Sequence, residues 1–306
     1  MGHRRENRDR HSGGKTLHDY IVRAVARSGK VRAYAARTTE LVEELRRRHG
    51  TWPVVTAALG RAATVGAMIG AMLKGDQRLT VQVMGDGPVG TIVVDADAAG
   101  RVRGFADHPN VDLPLNDQGK LDVAGAVGKG ALYVVKDLGF GEPYRGSVPL
   151  VSGELGEDFA YYFAVSEQLP SSVGVGVLVD THGRVKQAGG FIIQSFPGLS
   201  EEETTDLEGA LTSIPSVTAM LDRGVTPEEL LAHVVPDVRV LDRVPVAFRC
   251  RCSRQRIERI LVALGKEERE SLCQEQGGAE VRCQFCGKVY RFSCEALRAL
   301  DEGRSV

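Results

Sequence analysis

A chain of 306 residues with a net charge of −1, 42% apolar and 26% charged residues, is long enough to bury a sizeable core and to divide into two or three units. That balance excludes a chain that is basic throughout and gives no overall signal for a polyanionic partner. The first stretch, "MGHRRENRDRHSGGKT", is polar, Arg-rich and without an apolar run, so it is no secretory signal; residues 1–15 read as a disordered extension.

Residues 16–197 read as one α+β core domain, with mixed helices and strands. "HDYIVRAVARSGKVRAYAA" suits a strand pair turning at Ser28-Gly29, and "TTELVEELRRRHG" a helix capped by Thr39 and stopped by Gly50. The apolar stretch 53–75 approaches the length of a membrane span, roughly 20 residues. Arg61 within it, and its wealth of Ala, Gly and Thr, point instead to a helix buried in a soluble core, with Pro53 in the first turn and Gly75 beyond the end. The chain therefore reads as cytoplasmic, with no membrane partner. "RLTVQVMGDGPVGTIVVDADAAGRVRGFADHP" alternates with period two around Gly-rich turns, as a hairpin or meander does. Further strands are expected at "ALYVVKDL", "FAYYFAVSEQ", "SSVGVGVLVD" and "GRVKQAGGFIIQ", the last two joined at Thr181-His182-Gly183.

Residues 198–249 carry ten acidic side chains against four arginines. Two capping boxes, Ser200 with Glu203 and Thr226 with Glu229, each open a short amphipathic helix. Leu207, Leu211 and Ile214 form one apolar face; Leu230, Leu231 and Val234 form another. Helices this short need something to pack against, so the segment reads as a helical linker whose fold depends on its neighbours. In residues 250–306, Ser253 caps a helix carrying Ile257, Ile260, Leu261 and Leu264 on one side and ending at Gly265. Residues 266–275 add a helical turn or two, Gly277-Gly278 break the chain, and "AEVRCQFCGKVYRF" reads as a hairpin with C-x-x-C at its bend.

The motifs exclude as much as they suggest. Gly85-Asp86-Gly87-Pro88-Val89-Gly90 matches G-x-G-x-x-G, but a strand follows where a dinucleotide site needs a helix N-terminus, so it is a turn. The histidines at 3, 11, 18, 49, 108, 182 and 233 show no ligand spacing. Asp107-His108 and Asp180-x-His182 suit turns, and neither a G-x-S-x-G nucleophile nor a P-loop occurs. The chain does not read as an enzyme.

All six cysteines lie from position 250 onward. In a cytoplasmic chain that points to metal or redox chemistry rather than a disulfide framework. Cys250 and Cys252, with Cys283 and Cys286, make two close pairs suited to one Zn²⁺, which favours four tetrahedral thiolates. Four thiolates make a closed site with no place for a catalytic water. Zinc here is either a staple, as in zinc-ribbon nucleic-acid-binding proteins, or a redox switch; thiol oxidoreduction is a third reading. A unit of this size supplies only a few kcal/mol from its core, whereas structural zinc contributes on the order of 10–16 kcal/mol. Eleven Lys/Arg against nine Asp/Glu in 250–306 make a modest basic patch, which argues against nucleic acid.

C-x-C, about thirty residues, then C-x-x-C, at the end of a 33.0 kDa chain, resembles the redox-regulated 33-kDa heat-shock chaperone family of bacteria. "GGAEVRCQFCGKVYRF" is similar to that family's zinc segment, and "GFIIQ" and "TPEELL" are family-like; the resemblance spans about residues 16–295. It implies an α/β-type core, a helical linker and a small C-terminal four-cysteine zinc domain over 250–306. It further implies an ATP-independent holdase for unfolding client proteins, monomeric, zinc-bound and inactive when reduced. Oxidation would pair Cys250–Cys252 and Cys283–Cys286, release zinc, unfold linker and zinc domain, expose apolar surface and yield a homodimer. Links across one or two intervening residues would restrain the opened chain little. Cys273 and Cys294 fall outside the pattern, as spectators or as alternative disulfide partners. The Arg-rich N-terminal extension is another departure.

Overall fold

The computed structural model describes residues 18–300; the extension expected over 1–15 lies outside the described residues. The fold is α+β, as the sequence indicates. Its elements in chain order are β1 (Tyr20–Ala26), β2 (Val31–Arg37), α1 (Thr39–His49), α2 (Pro53–Gly70), β3 (Arg78–Gly85), β4 (Thr91–Asp97) and β5 (Arg101–Ala106). There follow α3 (Val123–Val127), β6 (Gly130–Asp137), β7 (Tyr144–Pro149), α4 (Gly156–Val165), β8 (Ser171–Val179) and β9 (Val185–Ser195). The remainder holds α5 (Glu201–Ser213), α6 (Val217–Asp222), α7 (Pro227–Val234), β10 (Arg239–Pro245), β11 (Ala247–Phe248), α8 (Arg254–Ala263), α9 (Lys266–Gln276), β12 (Gly278–Arg282), β13 (Val289–Ser293) and α10 (Cys294–Ala299).

Two sheets enclose α2. One runs β10-β1-β2-β9-β8 and the other β11-β5-β4-β3-β6-β7. Every residue of α2 except Pro53 and Arg61 is buried. This helix is long and apolar enough to cross a membrane, yet 89% of it is covered by the rest of the chain. Its small residues let the neighbours close in: a Cβ on Gly60 would stand 2.6 Å from Val42 and 2.8 Å from Val177. Arg61 leaves the core by pairing with Glu154.

The segment "FAYYFAVSEQ" is not the strand its aromatic, β-branched composition suggests but the greater part of α4. Phe159, Tyr162 and Phe163, at helical spacing, are completely buried, and the Asp158 carboxylate fixes the entry by accepting from the N–H of Val151 (2.7 Å) and Leu155 (2.8 Å). Burial of one helical face overrode strand propensity. A smaller correction concerns α1, where Thr39 is the first helical residue rather than the cap. The orphan N–H of Leu41 is met from outside the helix by Asp19, at 2.7 Å.

Both capping boxes form as read from the sequence. Leu207, Leu230, Leu231 and Val234 of α5 and α7 lie on the outer face of the first sheet, against Val22, Val31, Ala33, Phe191 and Ile193. Residues 198–249 are not helical throughout, however. Strand β10 runs antiparallel to β1, from Tyr20 opposite Pro245, and β11 lies parallel to β5. An edge strand that carries the charged residues Arg239, Asp242 and Arg243 has only a weak local signature. After β11 the chain enters a small unit of three helices and the β12–β13 hairpin. Its buried hydrophobic cluster is Ile257, Leu261, Cys273, Ala279, Tyr290, Phe292 and Leu297.

Candidate metal centre

Three local devices deliver the four cysteines. Cys250 continues the run of β11 along β5: the N–H of Arg249 still donates to the Val102 carbonyl at 2.9 Å. Cys252 immediately precedes Ser253, whose hydroxyl caps α8 by accepting from Arg256 N–H at 3.2 Å. Cys283 and Cys286 occupy the bend between β12 and β13. Gly287 N–H closes that turn on the Cys283 carbonyl at 2.8 Å, and its φ of +71° is one that glycine adopts without strain.

The four Sγ atoms all lie within 4.8 Å of one another. Cys250 and Cys283 are 3.7 Å apart, and Cys252 and Cys286 3.4 Å. A tetrahedron with zinc–sulfur arms of about 2.3 Å has edges of about 3.8 Å, so the sulfurs fit such an ion. Their electrostatics fit it as well. Burial pushes the Cys286 thiol up to about 12 and raises Cys283, on which the neighbouring Cys250 charge also bears. Burial works against Cys250 too, but the Cys252 N–H, the thiols of Cys252 and Cys286, and Arg103 together bring it down to about 7. Thiols crowded this closely cannot all ionise without a cation among them.

The surroundings contribute residues that cysteine spacing does not reveal. The Tyr290 hydroxyl donates to Cys252 Sγ at 3.1 Å, and Arg103 of β5 donates to Cys250 Sγ at 3.8 Å. Arg103 also stacks 3.9 Å above the ring of Phe285, which meets Phe105 edge-on at 5.1 Å. Arg251, between the two cysteines of the first pair, bonds to the buried Asp97 at the end of β4. His49, from the end of α1, reaches the backbone of Phe285 and Gly104, and burial keeps its pKa below the usual value. The alternation of "VYRF" could have placed Tyr290 beside the cysteine cluster; nothing near Arg103 in the sequence could. The cluster thus joins the C-terminal hairpin to a strand belonging to the core sheet.

Cys273 and Cys294 lie outside this group. They meet each other instead, on α9 and at the start of α10, with Cys294 Sγ 3.7 Å from the Cys273 carbonyl. Hydrogen bonding with Cys294, then burial, pushes the Cys273 thiol up to about 11.

Comparison with known proteins places these features in a family. A family model described as Hsp33 protein matches residues 19–293. A 33 kDa chaperonin of Geobacillus kaustophilus (strain HTA426) is 54% identical over 287 residues, covering 93% of this chain and 98% of its own. One from Staphylococcus aureus (strain Newman) is 50% identical over 288 residues, covering 93% and 98%. Among solved structures, the crystal structure of the 33 kDa chaperonin (heat shock protein 33 homolog) of Thermotoga maritima matches with a TM-score of 0.87 at 38% identity. That match covers 94% of this chain and 99% of the other.

Proposed function

The chain belongs to the Hsp33 family, and from that membership and the meeting of its four thiols we propose a redox-controlled, ATP-independent holdase. Its relatives carry the name chaperonin rather than that of an enzyme, and a closed thiolate site suits regulation better than turnover. The metal is proposed to be one Zn²⁺ held by Cys250, Cys252, Cys283 and Cys286 in the reduced, monomeric, cytoplasmic form. When bound, such an ion cross-links two distant chain segments and stabilises four thiolates.

The observation that carries the reading is that the sulfurs come from both sides of a boundary. Cys250 and Cys252 follow a strand hydrogen-bonded to the core, while Cys283 and Cys286 belong to the C-terminal hairpin. Two equivalents of peroxide would convert Cys250–Cys252 and Cys283–Cys286 to disulfides, each pair of thiolates giving up two electrons and one peroxide per pair taking two protons from solvent as it is reduced to two waters. Neither disulfide spans the boundary, so the cross-link is lost. Residues 250–306 would then unfold and the linker 198–249 would loosen, while the core 16–197 stays folded. Departure of α5 and α7 would bare the apolar sheet face around Val22, Val31, Phe191 and Ile193, a surface for unfolding clients and for a second copy of the chain.

The test is to treat the zinc-loaded protein with peroxide at warm temperature, following zinc release, limited proteolysis and aggregation of an unfolding client. Zinc release with protease sensitivity first across 198–306 and suppressed aggregation is expected. Release without suppression sinks the reading. Turnover of dithiol substrates by the reduced form would favour an oxidoreductase instead.

A further inference from the structure

Between the second sheet and the C-terminal unit lies a cleft of about 200 Å³. Six arginines line it: Arg78 on β3, Arg101 and Arg103 on β5, and Arg249, Arg251 and Arg256 from β11 onward. Three carboxylates answer them in part. Asp95 takes Arg103 at 2.6 Å, Asp97 takes Arg101 at 2.8 Å together with Arg251, and Asp137 stands in the wall. The excess is three positive charges. The guanidinium groups of Arg78, Arg249 and Arg256 form no ion pair among the described residues.

Like charges gathered in a concave site raise one another's energy unless an anion joins them. The metal centre does not account for the gathering. Four thiolates around a divalent cation carry two negative charges, and of the six arginines it is Arg103 that touches them. Arg78 stands two strands away in the order β5-β4-β3, about 10 Å at ordinary strand spacing. Guanidinium forks converging from several directions suit phosphoryl oxygens, which they grip in pairs. A volume near 200 Å³ is below the roughly 300–1,000 Å³ of sites that enclose a drug-sized ligand.

We propose that this cleft binds an oligophosphate of two or three phosphoryl groups, free or as the tail of a nucleotide whose base stays outside, and that the bound anion fastens the C-terminal unit to the core. Binding follows from the arginines alone. Fastening rests additionally on the release of that unit proposed above. Half of the site (Arg78, Arg101, Arg103) belongs to core strands, and half (Arg249, Arg251, Arg256) to the segment that carries the first ligand pair. An anion held by both halves binds the docked arrangement more tightly, and by reciprocity resists undocking.

The test uses the full reduced, zinc-loaded chain. Titration calorimetry with tripolyphosphate, pyrophosphate, ATP and adenosine reads binding, and a chromogenic chelator reads zinc release under peroxide. Tripolyphosphate is expected to bind, adenosine not; ATP matches tripolyphosphate if only the tail is read. The Arg78→Ala/Arg256→Ala double variant removes two exposed, unpaired charges and should weaken binding by about a hundredfold. Saturating tripolyphosphate should slow zinc release several-fold in the parent chain and not in the variant, which separates fastening from any direct capture of zinc by the anion. No binding at millimolar tripolyphosphate overturns the proposal, as does unchanged affinity in the double variant. Tighter competition by a single-stranded RNA overturns it in favour of a nucleic-acid surface. Binding with no effect on zinc release overturns the fastening; loss of client protection alone would strike the chaperone reading and leave the calorimetry standing.

Discussion

The core and the C-terminal unit are built on opposite principles. Around α2, helix and both sheets bury Leu59, Met68, Ile69, Phe159, Tyr162 and Phe163 completely, and apolar contact is continuous from one sheet to the other. The C-terminal unit has a cluster of seven buried hydrophobic residues, one of them a cysteine, spread over three helices and a hairpin. A core that small supplies only about 3–5 kcal/mol, so on the proposed reading a metal held by the four sulfurs does for it what α2 does for the rest. On that reading one chain holds a region whose fold is stable on its own and another whose fold is conditional on a bond that chemistry can remove.

The most severe way to break this comparison is to strip the metal. Chelation, or Cys283→Ser, should remove a contribution on the order of 10 kcal/mol and abolish amide protection across α8–α10 and the hairpin, leaving α2 and its strands protected. Hydrogen exchange followed by mass spectrometry reads both regions in one experiment. Retained protection in 254–299 would mean that the small core suffices.

The linker helices occupy a middle position, since they lean on the core without belonging to it. Leu230 is completely buried between α7 and the first sheet. Leu230→Ala should cost about 2–5 kcal/mol, charged to the docking of 201–234 rather than to the α2 core. Proteolysis of the reduced, metal-loaded chain should then begin in that segment, with metal content unchanged. Early cleavage inside the core would show that linker and core are one cooperative unit.

Proton binding separates the regions in the other direction. Burial lifts the Asp19 carboxyl from 3.8 to about 6, against the lowering pull of the Leu41 and Glu40 N–H groups. A carboxyl that is harder to ionise in the fold favours the folded state when protonated. The associated stability is therefore present in full below about pH 4 and is lost as pH rises through 6, some ~3 kcal/mol in all. Asp19→Asn keeps the acceptor for Leu41 and should flatten that window in pH-dependent unfolding of the core. Metal retention runs the opposite way, because acid protonates the thiolates and releases the ion. If both regions lose stability together between pH 6 and 4, the Asp19 account fails.

How much of this could be read from the sequence follows the same division. The clustering of the four cysteines was legible because a metal site would fix residue type and spacing, and α2 because small and apolar residues run on for five turns between Pro53 and Gly70. The α4 helix was not: its aromatic run satisfies two periodicities, and burial of Phe159, Tyr162 and Phe163 on one face decides between them. Nor were β10 and β11, whose partners β1 and β5 lie far away in the chain, so that no local pattern announces them. Arg103 is the clearest case. It reaches Cys250 only because β11 is laid parallel to β5, a fact of topology rather than of sequence neighbourhood.

The smallest expected effect concerns the pair the spacing left unassigned. Cys273 and Cys294 adjoin each other within the C-terminal unit, apart from the four-sulfur cluster. With its thiol held near 11 by its neighbour and by burial, Cys273 stays protonated at neutral pH, and a protonated thiol is a poor nucleophile. Cys273→Ser should therefore shift the stability of the reduced protein by no more than about 1 kcal/mol and leave metal content intact. Under limiting peroxide, thiol titration should fall from six to two in the parent and from five to one in the variant, four thiols lost in each case. A parent that loses all six while the variant loses four would make Cys273 and Cys294 a third redox couple, cross-linking α9 to α10. The C-terminal unit would then keep a covalent tie of its own after the metal has gone, and its dependence on that one metal bond would be weaker than its small core implies.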